Sequence, residues 1–299
     1  KRQLYGTEWA TSSTFPKSDY VLKEGRPVGL VRGLTADGFY TTDDFTYENG
    51  VYTLKKGVPD VTSAVFPNYH LHSGMNERPA GQLAYPGMAK FKDLNDDGFI
   101  NDDDVDVIGD MTPIHTGGFN INATYKNFDL GLYFNWSYGN EIYNVNKLAA
   151  LYGYKEGAVY ENKLSIVKDC YKIYDVVNGE LVALTTPEQL NAANANAKLP
   201  LAYSENGYVS TLGIEDGSYL RLNTLTLGYT LPKSVLQKAG ISNLRIYGSI
   251  YNVFTITGYS GIDAEVSTST STKTYPQLGM DWGTYPRARS FVLGVNLSF

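Results

Sequence analysis

The chain has 299 residues, among them 25 Tyr and 30 Gly, a bias toward strands and tight turns over helices. A formal net charge of −6 offers no basic face for nucleic acid. No run of about 18 apolar residues supplies a transmembrane helix, which leaves open a membrane barrel built from alternating strands. The single cysteine, Cys170, excludes an internal disulfide and is expected to be a free, inert thiol. Residue 1 is Lys, with no charged-then-apolar export signal behind it, so the expectation is a mature, truncated or excised chain.

In chain order, two strands at most are expected before Tyr40. His70-Leu71-His72 places two imidazoles on one side of a strand, but with no third ligand in view it is not read as a metal site. The segment from Asp93 to Asp104 fits the spacing of a calcium loop. Asp93, Asn95, Asp97, Asn101 and Asp104 place side-chain oxygens at its first, third, fifth, ninth and twelfth positions. Gly98 stands where the loop turns sharply, and Phe99 offers its backbone carbonyl. Hard oxygen ligands suit Ca²⁺, whose charge would offset the crowded carboxylates. The twelfth residue is Asp where Glu is usual, no helical periodicity flanks the loop, and the competing reading is a solvated acidic turn.

From Gly118 to Tyr125, apolar Phe119, Ile121, Ala123 and Tyr125 alternate with Asn120, Asn122 and Thr124. After Lys126-Asn127, apolar Phe128, Leu130, Leu132, Phe134 and Trp136 continue the period, so the two runs form a hairpin. The long segment that follows carries Tyr152, Tyr154, Tyr160, Tyr171 and Tyr174, whose rings could stack on sugars or pack inside the loop. Ser218 to Leu231 alternates again, but Leu220 and Leu222 stand on the parity opposite to Leu225, Leu227 and Tyr229, which predicts a bulge or an extension beyond the lipid. A short helix is expected over Ser234 to Ala239, bounded by Pro232 and Gly240. Asn243 to Thr257 is a further strand. From Ala288 onward, Phe291, Leu293, Val295, Leu297 and Phe299 alternate with Gly294, Asn296 and Ser298. Ending on an apolar strand and an aromatic residue is the habit of outer-membrane barrels, whose closure makes the last strand an internal one. Short connections (Lys126-Asn127, Pro232 to Ser242) alternate with long ones (Gly139 to Gly217, Gly258 to Arg287), as periplasmic turns and extracellular loops do. Five confident strands are too few to close a barrel, so the chain is expected to be part of a larger one.

Several segments, in order, resemble the SusC/RagA family of TonB-dependent transporters: Glu24-Gly25-Arg26-Pro27-Val28-Gly29 with Asp37-Gly38-Phe39-Tyr40, and Pro86-Gly87 through the acidic loop to Val107-Ile108-Gly109 and Pro113. Also similar are Glu215-Asp216-Gly217-Ser218-Tyr219-Leu220-Arg221-Leu222, Leu227-Gly228-Tyr229-Thr230-Leu231-Pro232, and Leu244-Arg245-Ile246-Tyr247 with Asn252. Tyr259-Ser260-Gly261-Ile262-Asp263-Ala264-Glu265 and Tyr285-Pro286-Arg287 complete the set. The resemblance implies an all-β fold, a transmembrane antiparallel barrel of about 22 strands with a plugged lumen and long extracellular loops. Residues 1–299 would then be the C-terminal portion of one barrel domain in the outer membrane of a Gram-negative bacterium. The signal peptide, TonB box and plug would precede Lys1, and the TonB complex would act through that N-terminal part. It implies import of glycans or peptides under a SusD-like lipoprotein, with the rest of the same barrel as a structural partner. Phe299 would be read by the barrel-assembly machinery, and a calcium ion would fix the acidic loop beside the lid-binding surface. No G-x-S-x-G, P-loop or H-E-x-x-H motif occurs, so no enzyme is expected. The competing reading from another class is a secreted calcium-dependent carbohydrate-binding β-sandwich.

Overall fold

The structure, a computed structural model, describes residues 8–11, 20–23, 25–63, 65–66, 78–152, 164–202, 209–237, 240–266 and 278–299. Two compact units emerge, each assembled from two stretches of chain: Lys1–Asp110 with Asn144–Ile214, and Met111–Tyr143 with Glu215–Phe299. No described helix is long and apolar enough to cross a membrane.

The second unit is a five-stranded antiparallel sheet. Its strands are β1 (His115–Tyr125), β2 (Phe128–Tyr138), β3 (Tyr219–Thr230), β4 (Asn243–Thr257) and β5 (Ser290–Ser298), paired in that order. Cross-strand partners share a face, so the register shows how the faces divide. One lateral row runs Ile121, Leu132, Leu225, Ile250, Phe291, and the next but one runs Ala123, Leu130, Leu227, Gly248, Leu293. Between them lies the row Asn122, Gly131, Thr226, Ser249, Val292, on the opposite face. One face is therefore apolar across all five strands and the other largely polar. The apolar face is open: Phe291 is 71%, Leu293 88% and Val295 61% exposed. A β-sandwich would cover that face with a second sheet, so the sandwich reading is set aside.

The expected bulge is present in β3. Pairing with β2 and with β4 shifts register at Asn223, which exchanges the parity of the residues above it. In the partner β4 the same irregularity holds Asn252 at φ 53°, a left-handed conformation that Asn tolerates, and its Nδ2 donates to the Ala288 carbonyl at 2.8 Å. Aromatic rings lie over glycines of the neighbouring strand. A Cβ on Gly294 would meet the Tyr247 ring at 2.3 Å, and one on Gly117 would meet Trp136 at 2.4 Å. The short connection after β3 carries a helical turn over Lys233–Leu236 with Pro232 at its N-cap, which overlaps the start of the helix expected over Ser234 to Ala239; residues 238–239 lie outside the described residues.

The first unit is folded around tyrosine. Tyr40, Tyr52, Tyr85 and Tyr171 are buried with Phe45, Phe66, Phe91, Met88 and Ile100. Each such ring contributes on the order of 2 kcal/mol by burial, provided its hydroxyl finds a partner. Tyr40 donates to the Pro59 carbonyl at 2.6 Å, and Tyr52 donates to the Thr185 carbonyl at 3.0 Å. Two hairpins flank this core, Phe45–Glu48 with Val51–Leu54 and Tyr174–Val177 with Glu180–Ala183. Their turns are Asn49-Gly50 and Asn178-Gly179, all four residues at positive φ, the twist a two-residue hairpin requires. A helix over Pro187–Asn194 starts on Thr186 and Gln189, which cap each other reciprocally, and it sends Leu190 into the core. Before Tyr40 the described strands are Glu8–Thr11, Tyr20–Lys23, Leu30–Gly33 and Ala36–Phe39. Leu30–Gly33 and Ala36–Phe39 are flanked by described residues, and at about 3.4 Å per residue neither is long enough to span a bilayer. The first three strands pair with one another and with Asp106–Asp110.

Candidate functional site

On the polar face, Arg245 of β4 reaches across Gly228 of β3 to Asp129 of β2, with Nε 2.9 Å from Oδ1. The crossing needs glycine: a Cβ at Gly228 would lie 2.4 Å from Asp129 Oδ1 and 2.5 Å from Arg245 Nη2. The guanidinium also stacks over the Tyr247 ring at 4.8 Å. Asn120, Asn122, Tyr133, Thr224 and Thr226 surround the pair in a depression of ≈ 350 Å³. This face presents hydrogen-bonding groups to whatever occupies the space it lines.

Four charges meet at the end of the sheet that carries the long connections. Arg221 of β3 pairs with Asp263 through Nη2 and with Glu265 through Nη1 at 2.9 Å. Arg287 approaches the same two acids, at 2.9 Å to Asp263 Oδ2 and 3.0 Å to Glu265 Oε2. The Arg221 and Asp263 side chains are 4% exposed, those of Glu265 and Arg287 39% and 43%. Arg221 Nε further donates to Thr255 Oγ1 at 2.9 Å. Nearby, Glu215 accepts from the Ser260 N–H and hydroxyl, both at 2.8 Å, and Tyr259 donates to Asp281 at 2.6 Å. Burial and the adjacent Asp281 charge push the Tyr259 hydroxyl well above the ordinary tyrosine range. Three of the motifs that carried the resemblance, separated by tens of residues in sequence, thus converge on one cluster of ion pairs. Sequence reasoning quoted these residues only as a pattern. The available signal was their charge: two arginines and two acids spread over three of the quoted motifs.

The acidic loop is held by its own backbone. Asp93 Oδ2 accepts from the Gly98 N–H at 2.8 Å, and Asp97 Oδ1 accepts from the Phe99 N–H at 2.8 Å. Asn95 Oδ1 accepts from the Asp97 N–H at 3.1 Å and Asn101 Oδ1 from the Asp103 N–H at 2.7 Å. Asp104, fully buried, ties the two halves by accepting from Leu94 N–H at 2.7 Å and Asn101 N–H at 2.8 Å. Gly98 adopts φ 86° at the sharp turn and Asp96 φ 58°. The six expected ligands therefore lie on one tight loop, yet among the described residues no three His, Cys, Asp or Glu side chains are grouped as a metal site. The oxygens point first to N–H groups, and a cation would have to share them.

Tyr171 and Tyr174 pack in or against the core of the first unit. His70, His72, Tyr154 and Tyr160 lie outside the described residues, as does the side chain of Tyr152. Cys170 is buried, and burial together with the Asp169 charge pushes its thiol up to about 11.

An antiparallel sheet of strands up to 15 residues long, apolar on one face and polar on the other, defines the class: the wall of an outer-membrane β-barrel. No protein-family profile matches the chain. It is 30% identical over 284 residues to TonB-dependent receptor P3 of Formosa agariphila, covering 93% of this chain and 23% of that protein. To TonB-dependent receptor SusC of Bacteroides thetaiotaomicron it is 33% identical over 136 residues, 43% of this chain and 12% of that one. Its fold matches the RagAB peptide importer in the "closed-closed" state with a TM-score of 0.63 at 18% identity, covering 99% of this chain and 25% of the other. The chain belongs with the TonB-dependent receptors of the SusC/RagA type, and it spans about a quarter of the length of the curated relatives it matches over most of its own length. These relatives are named as receptors and transporters, not enzymes.

Proposed function

We propose that this chain is the C-terminal stretch of wall and outer loops of a TonB-powered importer in a Gram-negative outer membrane, taking up oligosaccharides or peptides delivered under a SusD-like lipoprotein. The observation that carries the reading is the two-faced sheet, apolar toward lipid and lined with Asn, Thr, Tyr and the Asp129–Arg245 pair toward a lumen. Names of the relatives support it: TonB-dependent receptors, and a peptide importer of the same fold. In this reading the connections beyond Tyr138 and Thr257 are extracellular, about 22 strands complete the barrel, and the TonB complex acts on parts of the receptor outside these residues. The apolar alternation ending at Phe299 would be the segment recognised during barrel assembly.

The test is deletion of the full-length gene in its own host, followed by uptake of labelled oligosaccharide and peptide pools. Loss of one of the two is expected, with restoration by the wild-type gene. A receptor recovered in the detergent-free soluble fraction, with both uptakes intact, would overturn the proposal.

For the acidic loop we propose a structural calcium ion bound by Asp93, Asn95, Asp97, Asn101 and Asp104 with the Phe99 carbonyl. The support is their arrangement on one turn held open by Gly98. Substituting Asp93 and Asp97 together by Ala is expected to raise proteolytic cleavage between Lys92 and Val105 in millimolar calcium to the level that chelator produces in the wild type. Wild-type cleavage indifferent to chelator would rule the ion out.

A further inference from the structure

Near the end of the sheet that carries the long connections, the apolar face is crossed by the row Gly117, Trp136, Leu220, Ile256. The row beyond it starts with the His115–Tyr138 pair, and the chain then places Ser218 and Gly258 just past Tyr219 and Thr257. Side-chain size thus falls from two rings to a hydroxymethyl and a hydrogen. The drop leaves a groove of ≈ 500 Å³ between Trp136, Tyr138, Leu220 and Ile256, floored by Ser218 and Gly258. Among the described residues, nothing lies within 4 Å of where a Cβ on Gly258 would stand.

The rim of the groove is not apolar. Trp136 Nε1 donates to His115 Nδ1 at 3.0 Å, and the imidazole stacks on Tyr138 with centroids 5.1 Å apart. A neutral ring that accepts at Nδ1 carries its proton on Nε2. The indole N–H, which at a membrane interface commonly meets headgroups, is engaged inside the protein here, and the imidazole presents a donor on its far side instead. Ser218 Oγ accepts from the Gly139 N–H at 3.0 Å and keeps its own proton to donate. The result is an apolar trough, continuous with the lipid-facing wall, with the His115 N–H donor at its edge and the Ser218 O–H donor on its floor.

We infer that this groove holds one acyl chain of a membrane lipid, with the lipid's ester or phosphate oxygens hydrogen-bonded to His115 and Ser218. The inference rests on the membrane-wall reading of this sheet. A chain moving from bilayer to groove leaves one apolar medium for another, so transfer from water contributes nothing. Retention depends on close packing against Trp136, Leu220 and Ile256 and on the two donors.

Gly258 supplies the test, because its φ lies outside the left-handed region and no described residue lies in its Cβ direction. In the full-length receptor, Gly258→Leu should fill the groove without straining the backbone. Native mass spectrometry of receptor saturated with lipid A in detergent should then show one fewer retained lipid per molecule than wild type, with the heat-modifiable barrel unchanged. Ile256→Phe, which fills the same space from β4, should do the same and serves if Gly258→Leu fails to assemble. Equal lipid retention in wild type and in an assembled groove-filled variant would overturn the inference. A wild-type receptor that stays monodisperse without detergent would instead remove the membrane wall itself, a separate failure.

Discussion

Arg221→Met in the full-length receptor is expected to release the outer segments between Tyr259 and Arg287 from the sheet. Removing one partner of a buried ion pair costs roughly 3–5 kcal/mol, and the low end applies because Asp263 keeps Arg287 and Glu265 keeps exposed edges. At about 1.4 kcal/mol per tenfold, opening of the segment should become about a hundredfold more frequent, read as the rate of limited proteolysis there. Arg287→Gln tests the same network from its exposed side. With that side chain 43% exposed and screened by solvent, the loss should stay below about 1 kcal/mol. A double change, Arg221→Met with Asp263→Leu, removes both buried charges and should recover much of the stability while leaving the segment less well fixed. Identical proteolysis of Arg221→Met and Arg287→Gln would mean that burial does not set the strength of the network.

Leu225→Arg should have the other large effect. Leu225 sits in the middle of the row from Ile121 to Phe291, the centre of the apolar face. A guanidinium at the lipid midplane costs about 2–4 kcal/mol in a membrane barrel, which is roughly a thirty- to thousandfold change in the folding equilibrium in lipid vesicles. Asn122→Arg, one row away on the polar face, should cost under about 1 kcal/mol. A reversal of that order would exchange the inside and the outside of the wall.

The wall was legible in the sequence because its signal is local. Alternation every second residue marked Asn243–Thr257 at the bounds observed, and Phe128–Tyr138 and Ser290–Ser298 within two residues of theirs. Even the bulge was visible, as the parity break between Leu222 and Leu225. The first unit was not legible. Its strands run four residues or fewer in most cases, too short to show a period, and its core joins partners as distant as Tyr52 and Thr185, 133 residues apart. Some of it was written in turn chemistry that went unread: Asn49-Gly50 and Asn178-Gly179 are strong hairpin signals. The tyrosines of the long segment suggested sugar stacking or packing inside the loop, and at the short-connection end of the sheet Tyr125, Phe128 and Tyr229 line up across three strands. Tyr40, Tyr52, Tyr85 and Tyr171 instead form the core of the first unit. The ion cluster was hidden for a different reason, since a single charged residue in a motif does not reveal its partner.

The bulge at Asn223 also sets which changes this chain can tolerate. Below it, odd-numbered residues of β3 face lipid, and above it the odd-numbered Arg221 faces the opposite way, toward Thr255, Asp263 and Glu265. Were Asn223 drawn into the ladder as an ordinary strand residue, every side chain would stay chemically intact, yet the guanidinium would turn into the hydrocarbon and strand two acids. Deleting Asn223 would instead leave Thr224 and Leu222 adjacent opposite Tyr133 and Phe134, with Arg221 still on its present face. The strand therefore tolerates the loss of this residue better than a slip that straightens the bulge.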